Sequence, residues 1–422
     1  MVTKKHTIII LTTLYFSLFV GIYINEDLIG GAFNDYEGHF HISEKFRNNF
    51  FYTFLNYDEL GHRHSPFFYI FRSILPLNEI LQRIFFLHIF LITPIFFYKS
   101  LKKIFKTTPK NNLKLLASLL LLFPTFRSYS IWSDPHLLGV LFFTISIYYF
   151  LKFKENKNVL KNSLLNTFFL ALSAYSSPNF GIFVIYFFYE FCLRFSFSKN
   201  LILVIFCNFV LSIPFFYYLF YIDVNFIFNS NGWDIGKNFY SLNNVSNKII
   251  IISSIFLFYL IPFIFSKNFK LKINNFLKFK PFNIIFLSIF LASCYFFDFT
   301  YSYNLTNSGG GFFYNLSKLI FQNDVLLFLI SFFSFLLLIN IFLFDYKNLI
   351  LFVCLILSNP QITIWQANFS PTIFILIMLV FNLCLNKSNF LFKHVFVIYS
   401  YFLLYFGLNI VKILLLDRKS VV

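Results

Sequence analysis

Apolar runs decide the fold class of this chain before any motif does. Stretches such as 7–25, 200–222 and 325–344 are long and nearly free of charge. They reach the roughly 18–20 residues that an α-helix needs to cross about 30 Å of hydrocarbon. Inside lipid each backbone amide must be satisfied by its own segment, so such runs form helices unless they alternate like barrel strands. These runs are continuous rather than alternating. Only 12% of the 422 residues are charged and 58% are apolar, where a soluble domain carries about 25% charge. The expectation is an all-α, polytopic transmembrane helical protein forming a single integral membrane domain over residues 1–422.

Hydropathy marks about 13 spans (11–13), near 7–25, 82–100, 112–126, 136–152, 162–176, 180–196, 200–222, 248–266, 282–299, 325–344, 348–359, 371–386 and 394–416. Lysine placement orients them. Alternate connections, including Lys99 to Lys114, Lys152 to Lys161 and Lys267 to Lys280, hold 22 of the 34 basic residues. Those connections are expected to be cytoplasmic. On the opposite side lie 13 of the 17 acids and three sizeable loops, 26–81, 223–247 and 300–324. The localisation this predicts is integral to a membrane, the bacterial inner (plasma) membrane, with the acid-rich face outside. The Lys4-Lys5 start and the apolar run to Ile24 resemble a signal sequence. No small-residue cleavage site follows, so the run is read as an uncleaved first span.

The same features exclude several classes. A net charge of +17 could point to nucleic acid, but the lysines sit in short loops, where the positive-inside rule puts them; no nucleic-acid partner is expected. The five cysteines fall in apolar segments without ligand spacing, so neither disulfide nor metal is assigned to them. The 71 phenylalanines accompany abundant Lys, Asn and Ile, a codon bias rather than a binding signature. No soluble domain, repeat or phosphate-binding glycine loop is present. Any group the protein moves must come from the membrane or from outside.

Polar chemistry concentrates in the first external loop. Asp35-Tyr36-Glu37-Gly38-His39 and Asp58-Glu59-Leu60-Gly61-His62-Arg63-His64-Ser65-Pro66 bring carboxylates and imidazoles together. Residues 38–55 read as an amphipathic helix with Phe40, Phe46, Phe50 and Phe54 on one face, suited to lie in the interface. An acid such as Asp35 or Glu37 can be a solvated charge or a general base. In an extended segment the two would point the same way and raise one another's pKa. His62, Arg63 and His64 suit a phosphate. A zinc site would also use such residues, but the spacing here does not specify one. No cofactor is expected, with a divalent metal left open.

Two further stretches carry polar groups. Arg127 through Asp134, Pro135 and His136 lies between spans three and four, where Asp134 and Pro135 fit a helix start. Arg127 there could pair with a charge or hold a phosphate. Asn359 to Pro371, with Gln361, Trp365 and Asn368, is polar and aromatic. It suits either a sugar or an interfacial Trp anchor. Gly309-Gly310-Gly311 could hinge a mobile lid or be slack.

The order of these pieces resembles the GT-C superfamily of polytopic glycosyltransferases, whose members include protein O-mannosyltransferases and aminoarabinose transferases. The resemblance rests on Asp35-Tyr36-Glu37 soon after span one, on His64-Ser65-Pro66-Phe67-Phe68-Tyr69, and on Arg127 to Gly139 before and into span four. It covers the first 200 residues best. The acidic motif here is Asp-x-Glu, and an adjacent pair occurs only at Asp58-Glu59.

The resemblance implies inverting transfer of a sugar from a polyprenyl-phosphate donor to a lipid or glycan acceptor on the external face. Asp35 and Glu37 are then the catalytic carboxylates. His39, Asp58, Glu59, His62, Arg63, His64, Arg127, Asp134, His136, Gln361, Trp365 and Asn368 are candidate substrate contacts. Two other classes stay open. A polysaccharide polymerase or ligase usually places its large loop late. A transporter buries ionisable groups at mid-membrane, and Glu190 and Asp298 are the nearest approaches to that here.

Overall fold

The computed structural model describes residues 3–60, 64–75, 78–221, 245–264, 281–298, 301, 309–359, 364–383 and 390–419. These residues are almost entirely helical. Seven helices are long and apolar enough to cross a membrane: Lys4–Tyr23, Glu79–Ile104, Pro135–Lys154, Lys199–Phe220, Val245–Ile264, Val325–Leu343 and Lys393–Lys412. Among the described residues, the other expected spans fall on shorter, broken or less apolar helices. The 112–126 run, for example, divides into Lys110–Ser118, a 3-10 turn Leu119–Leu122 and a helix Pro124–Ile131. Pro124 causes the break. Proline pushes the preceding residue out of the α region, and Phe123 is extended at φ −71°, ψ 124°.

The chain forms two compact units. One holds Thr12–Lys103 and Pro124–Tyr240. Its spine is the hairpin of Pro135–Lys154 and Val159–Ser176, closed by Asn156 and Asn158 in left-handed backbone, a conformation asparagine tolerates. Small and polar residues let the two helices approach, as they do in membrane bundles. Ser173 Oγ donates to Gly139 O at 2.7 Å, and Asn166 Nδ2 to Ser146 Oγ at 2.8 Å. A Cβ on Gly139 would lie 2.8 Å from the Phe180 ring. In Lys199–Phe220 the interior proline, Pro214, removes one ladder donor. The Tyr175 hydroxyl enters beside it, donating to Leu211 O at 2.6 Å and accepting from Phe215 N at 3.1 Å.

The expected amphipathic helix 38–55 differs from what is found. One helix runs Ala32–Asn48, and a second runs Phe50–Leu55. Asn49 breaks the run at φ −150°, ψ 84°, and its side chain caps the second helix by accepting from Tyr52 N. The aromatic stripe is split accordingly: Phe46 is buried and Phe50 exposed. The first helix buries Ala32, Tyr36, His39, Ile42 and Phe46, a helical 3–4 spacing that makes one face. Asp27 organises its start, accepting from Gly31 N at 2.8 Å and Gly30 N at 3.0 Å.

The other unit holds Met1–Leu11, Ile104–Phe123 and Ser241–Val422. Helices Val245–Ile264 and Val325–Phe344 are tied by serines: Ser331 Oγ donates to Ile250 O at 3.0 Å and Ser334 Oγ to Ser253 O at 2.6 Å. Edge-to-face rings of Phe123, Tyr259, Phe374 and Phe402 fill the core. Gly310 and Gly311 adopt positive φ, which glycine permits. They are tied down by Gly310 N to Ile364 O at 2.7 Å and Phe312 N to Gln366 Oε1 at 2.7 Å.

Candidate functional site

In the Thr12–Tyr240 unit, residues distant in sequence meet in one buried polar cluster. The Ala32–Asn48 helix supplies His39, the segment before Phe67–Ser73 supplies His64, and that helix supplies Tyr69. Asp134 comes from the start of Pro135–Lys154. His39 Nε2 lies 3.6 Å from Asp134 Oδ2, and Tyr69 Oη is 3.0 Å from His39 Nδ1. The donor in the Tyr69–His39 contact follows the imidazole tautomer, since either ring nitrogen can donate or accept. The His64 ring stands edge-on to His39, centroids 5.6 Å apart. Tyr57 donates to His64 O at 2.6 Å, which fixes that turn.

Asp134 has two tasks. Its Oδ1 accepts from His136 N at 2.7 Å, the N-cap that the sequence predicts, and Pro135 occupies the first turn. Burial pushes its carboxyl up. The His39 imidazole, together with His64 and His136, overrides burial and holds it below the usual carboxylate value. His136 leans on Ser177, Nδ1 to Oγ 3.0 Å, and stacks on Phe180. Burial raises the Tyr69 and Tyr129 hydroxyls, and the charges of Asp134 and Asp35 add to this at both. Those two acids therefore act on the same pair of tyrosines. Asp134 is buried and tied, whereas Asp35 is exposed, in the first turn of its helix and one turn before His39.

Glu37 does not join Asp35. The segment is helical rather than extended, so two residues turn the side chain by about 200°, and the mutual tuning inferred from an extended segment does not hold. Asp58 and Glu59 lie on a 3-10 turn and are exposed. His62, Arg63 and Gln361 lie outside the described residues. Trp365 and Asn368 belong to the other unit, around the Gln366–Phe369 helix. There Gln366 Nε2 donates to Tyr405 Oη at 3.2 Å.

Arg127 is committed to structure. Its Nε and Nη2 donate to the two Glu26 oxygens at 2.6 Å each, and Nη1 and Nη2 reach Ser17 Oγ and O. Its ion pair is with Glu26. Trp132 Nε1 donates to Glu26 O at 3.0 Å.

Two arginines that belong to no sequence motif, Arg72 and Arg83, lie in the same unit. Arg72, on Phe67–Ser73, is fully buried; its Nε donates to Gln82 Oε1 at 3.0 Å and its guanidinium lies 4.5 Å from the Tyr36 ring centroid. Arg83, on Glu79–Phe90, donates to Ile131 O and Asn25 Oδ1 and lies 3.9 Å from the Trp132 ring centroid. An arginine inside an apolar run is a signal the sequence does carry.

Among the described residues no group of three or more His, Cys, Asp or Glu could hold a metal ion. No family model, no curated protein and no solved structure matches the chain.

Proposed function

We propose that the protein is a membrane glycosyltransferase moving a sugar from a polyprenyl-phosphate donor to a lipid or glycan acceptor at the external face of a bacterial plasma membrane. One observation carries the reading. An exposed acid, Asp35, stands one helical turn from a buried His39–Asp134–Tyr69 network, in a chain with seven helices able to cross a membrane. The orientation and the larger span count rest on the lysine asymmetry and hydropathy of the sequence.

In the proposed reaction Asp35 takes the proton of the acceptor hydroxyl. The acceptor oxygen bonds to the anomeric carbon while the bond from that carbon to the phosphate oxygen breaks. The polyprenyl phosphate leaves with the electron pair, and the anomeric configuration inverts. Asp134 cannot serve equally as the base, because both its oxygens face donors. It orients His39, and through His39 the Tyr69 hydroxyl.

The test is transfer from a radiolabelled polyprenyl-phosphate sugar in membranes at matched protein level. Loss of a general base usually costs about 10²–10⁴-fold, so Asp35→Asn should lose turnover by that order. Glu37→Gln, on another side of the helix, should lose far less. Near-normal turnover in Asp35→Asn would remove it as the base. Near-normal turnover in Asp35→Asn, Glu37→Gln, Asp58→Asn and Glu59→Gln alike would sink the mechanism.

A further inference from the structure

A buried guanidinium ordinarily meets a carboxylate or a full set of acceptors. Arg72 meets neither. Its Nη1 and Nη2 are buried without a hydrogen-bond partner, and no ion pair reaches it among the described residues. Three further observations surround this one. The Tyr36 hydroxyl, on the ring that faces Arg72, is also buried; its strongest charge partner is that guanidinium, which it meets short of regular hydrogen-bond geometry. Tyr36 packs on Trp132 at 5.5 Å between centroids, and Arg83 lies over that same Trp132. Arg83 Nη2 is a third buried donor without an acceptor. Arg127 shows the contrast, since Glu26 and Ser17 engage its Nε, Nη1 and Nη2.

From these buried, under-satisfied donors we infer that Arg72, Arg83 and Tyr36 form a receptor for a phosphate-type oxyanion. The under-satisfied Nη1–Nη2 edge of Arg72 is the two-pronged edge that grips an oxyanion through parallel N–H bonds. Tyr36 and Arg83 add donors, giving a site for three oxygens, which a phosphate has and a carboxylate lacks. Burial pushes the Tyr36 hydroxyl up to about 12, although the two arginines pull the other way, so it remains a donor at neutral pH. Glu79 acts on both arginines, with Oε1 3.9 Å from Arg83 Nη1; its side chain is half exposed, and it leaves Nη2 of Arg83 unsatisfied. Phe40, half-buried against Arg72 and Tyr36, and Phe33, exposed against Trp132, bring the cluster to the surface through aromatic rings. Those rings suit the apolar tail of a lipid phosphate.

The inference rests on the transfer reading only for the choice of probe, and binding is measured without acceptor or turnover. Trp132 is the reporter. In full-length protein in detergent, with Trp233 and Trp365 changed to Phe, its fluorescence is followed while dodecyl phosphate or inorganic phosphate is added. A saturable, salt-weakened change is expected. Arg72→Gln and Arg72→Lys should each weaken it at least ~10-fold, lysine because it lacks the fork. Tyr36→Phe, which removes no charge and no ring, should weaken it several-fold and guards against an unfolded arginine variant. A response to dodecyl phosphate alone identifies a lipid headgroup, and equal responses identify free phosphate; both support the site. No response to either probe, or the same affinity in Arg72→Gln and Tyr36→Phe as in the parent, overturns it. A protein that binds but does not transfer would retain this site and lose only the reaction.

Discussion

Glu26→Gln tests whether Arg127 is a structural residue rather than a ligand contact. The Arg127 side chain is 2% exposed and that of Glu26 11%, and the pair shares two bonds of 2.6 Å. Removing one partner of a buried pair leaves an uncompensated charge and costs about 3–5 kcal/mol. Glutamine keeps one oxygen as an acceptor, so the loss should fall near the lower end, about 3 kcal/mol. The loss should shrink when Arg127→Met is added, because apolar replacement of both partners is often neutral. The assay is reversible unfolding in mixed micelles, with the coupling taken from the two single variants and the double. Glu155→Gln, which breaks the more exposed pair with Lys103, is the comparison and should cost about 0–1 kcal/mol. A Glu26→Gln loss no larger than that of Glu155→Gln would refute the argument, and Arg127 would return as a candidate phosphate contact.

Two other outcomes follow from the same geometry. The Asp134 carboxyl is lowered in the folded protein. Its contribution is therefore present above the unfolded value of about 3.9 and is lost as pH falls through the lower folded value. Asp134→Asn keeps the helix cap and should flatten the acid limb of stability against pH, measured by unfolding from about pH 5 downward; identical limbs in the two proteins would refute the His39 pairing. The orientation is checked with single cysteines in a cysteine-free background. A cysteine at exposed Asn48 should react with an impermeant maleimide in sealed cells, and one at exposed Lys157 should not; labelling at Lys157 would reverse the topology.

Short-range physics was legible in the sequence. Asp134 followed by Pro135 spells a helix start, and the structure has it. The polar stretches that supplied His39, His64, Asp134 and His136 do converge: His39 faces Asp134 and stands edge-on to His64, and Asp134 caps the helix that carries His136. Long-range pairing was not legible. Arg127 looked available because its partner, Glu26, stands 101 residues away in sequence. The Asp35–Glu37 argument assumed an extended segment, whereas burial of Tyr36, His39, Ile42 and Phe46 on one face selects a helix. Arg72 and Arg83 carry no motif, standing apart from the histidine and acid clusters in runs rich in Phe, Ile and Leu.

The Tyr175 hydroxyl at the Pro214 bend has a consequence for how this sequence can drift. A hydroxyl carries a single proton, and here that proton goes to Leu211 O while the oxygen receives Phe215 N. Phenylalanine at 175 would strip both backbone groups of this contact in apolar surroundings. A residue other than proline at 214 would restore a regular ladder and crowd the hydroxyl out of it. Positions 175 and 214 therefore form one heritable unit. Among related chains they should be exchanged together or not at all, a covariation set by one proton shared between two helices.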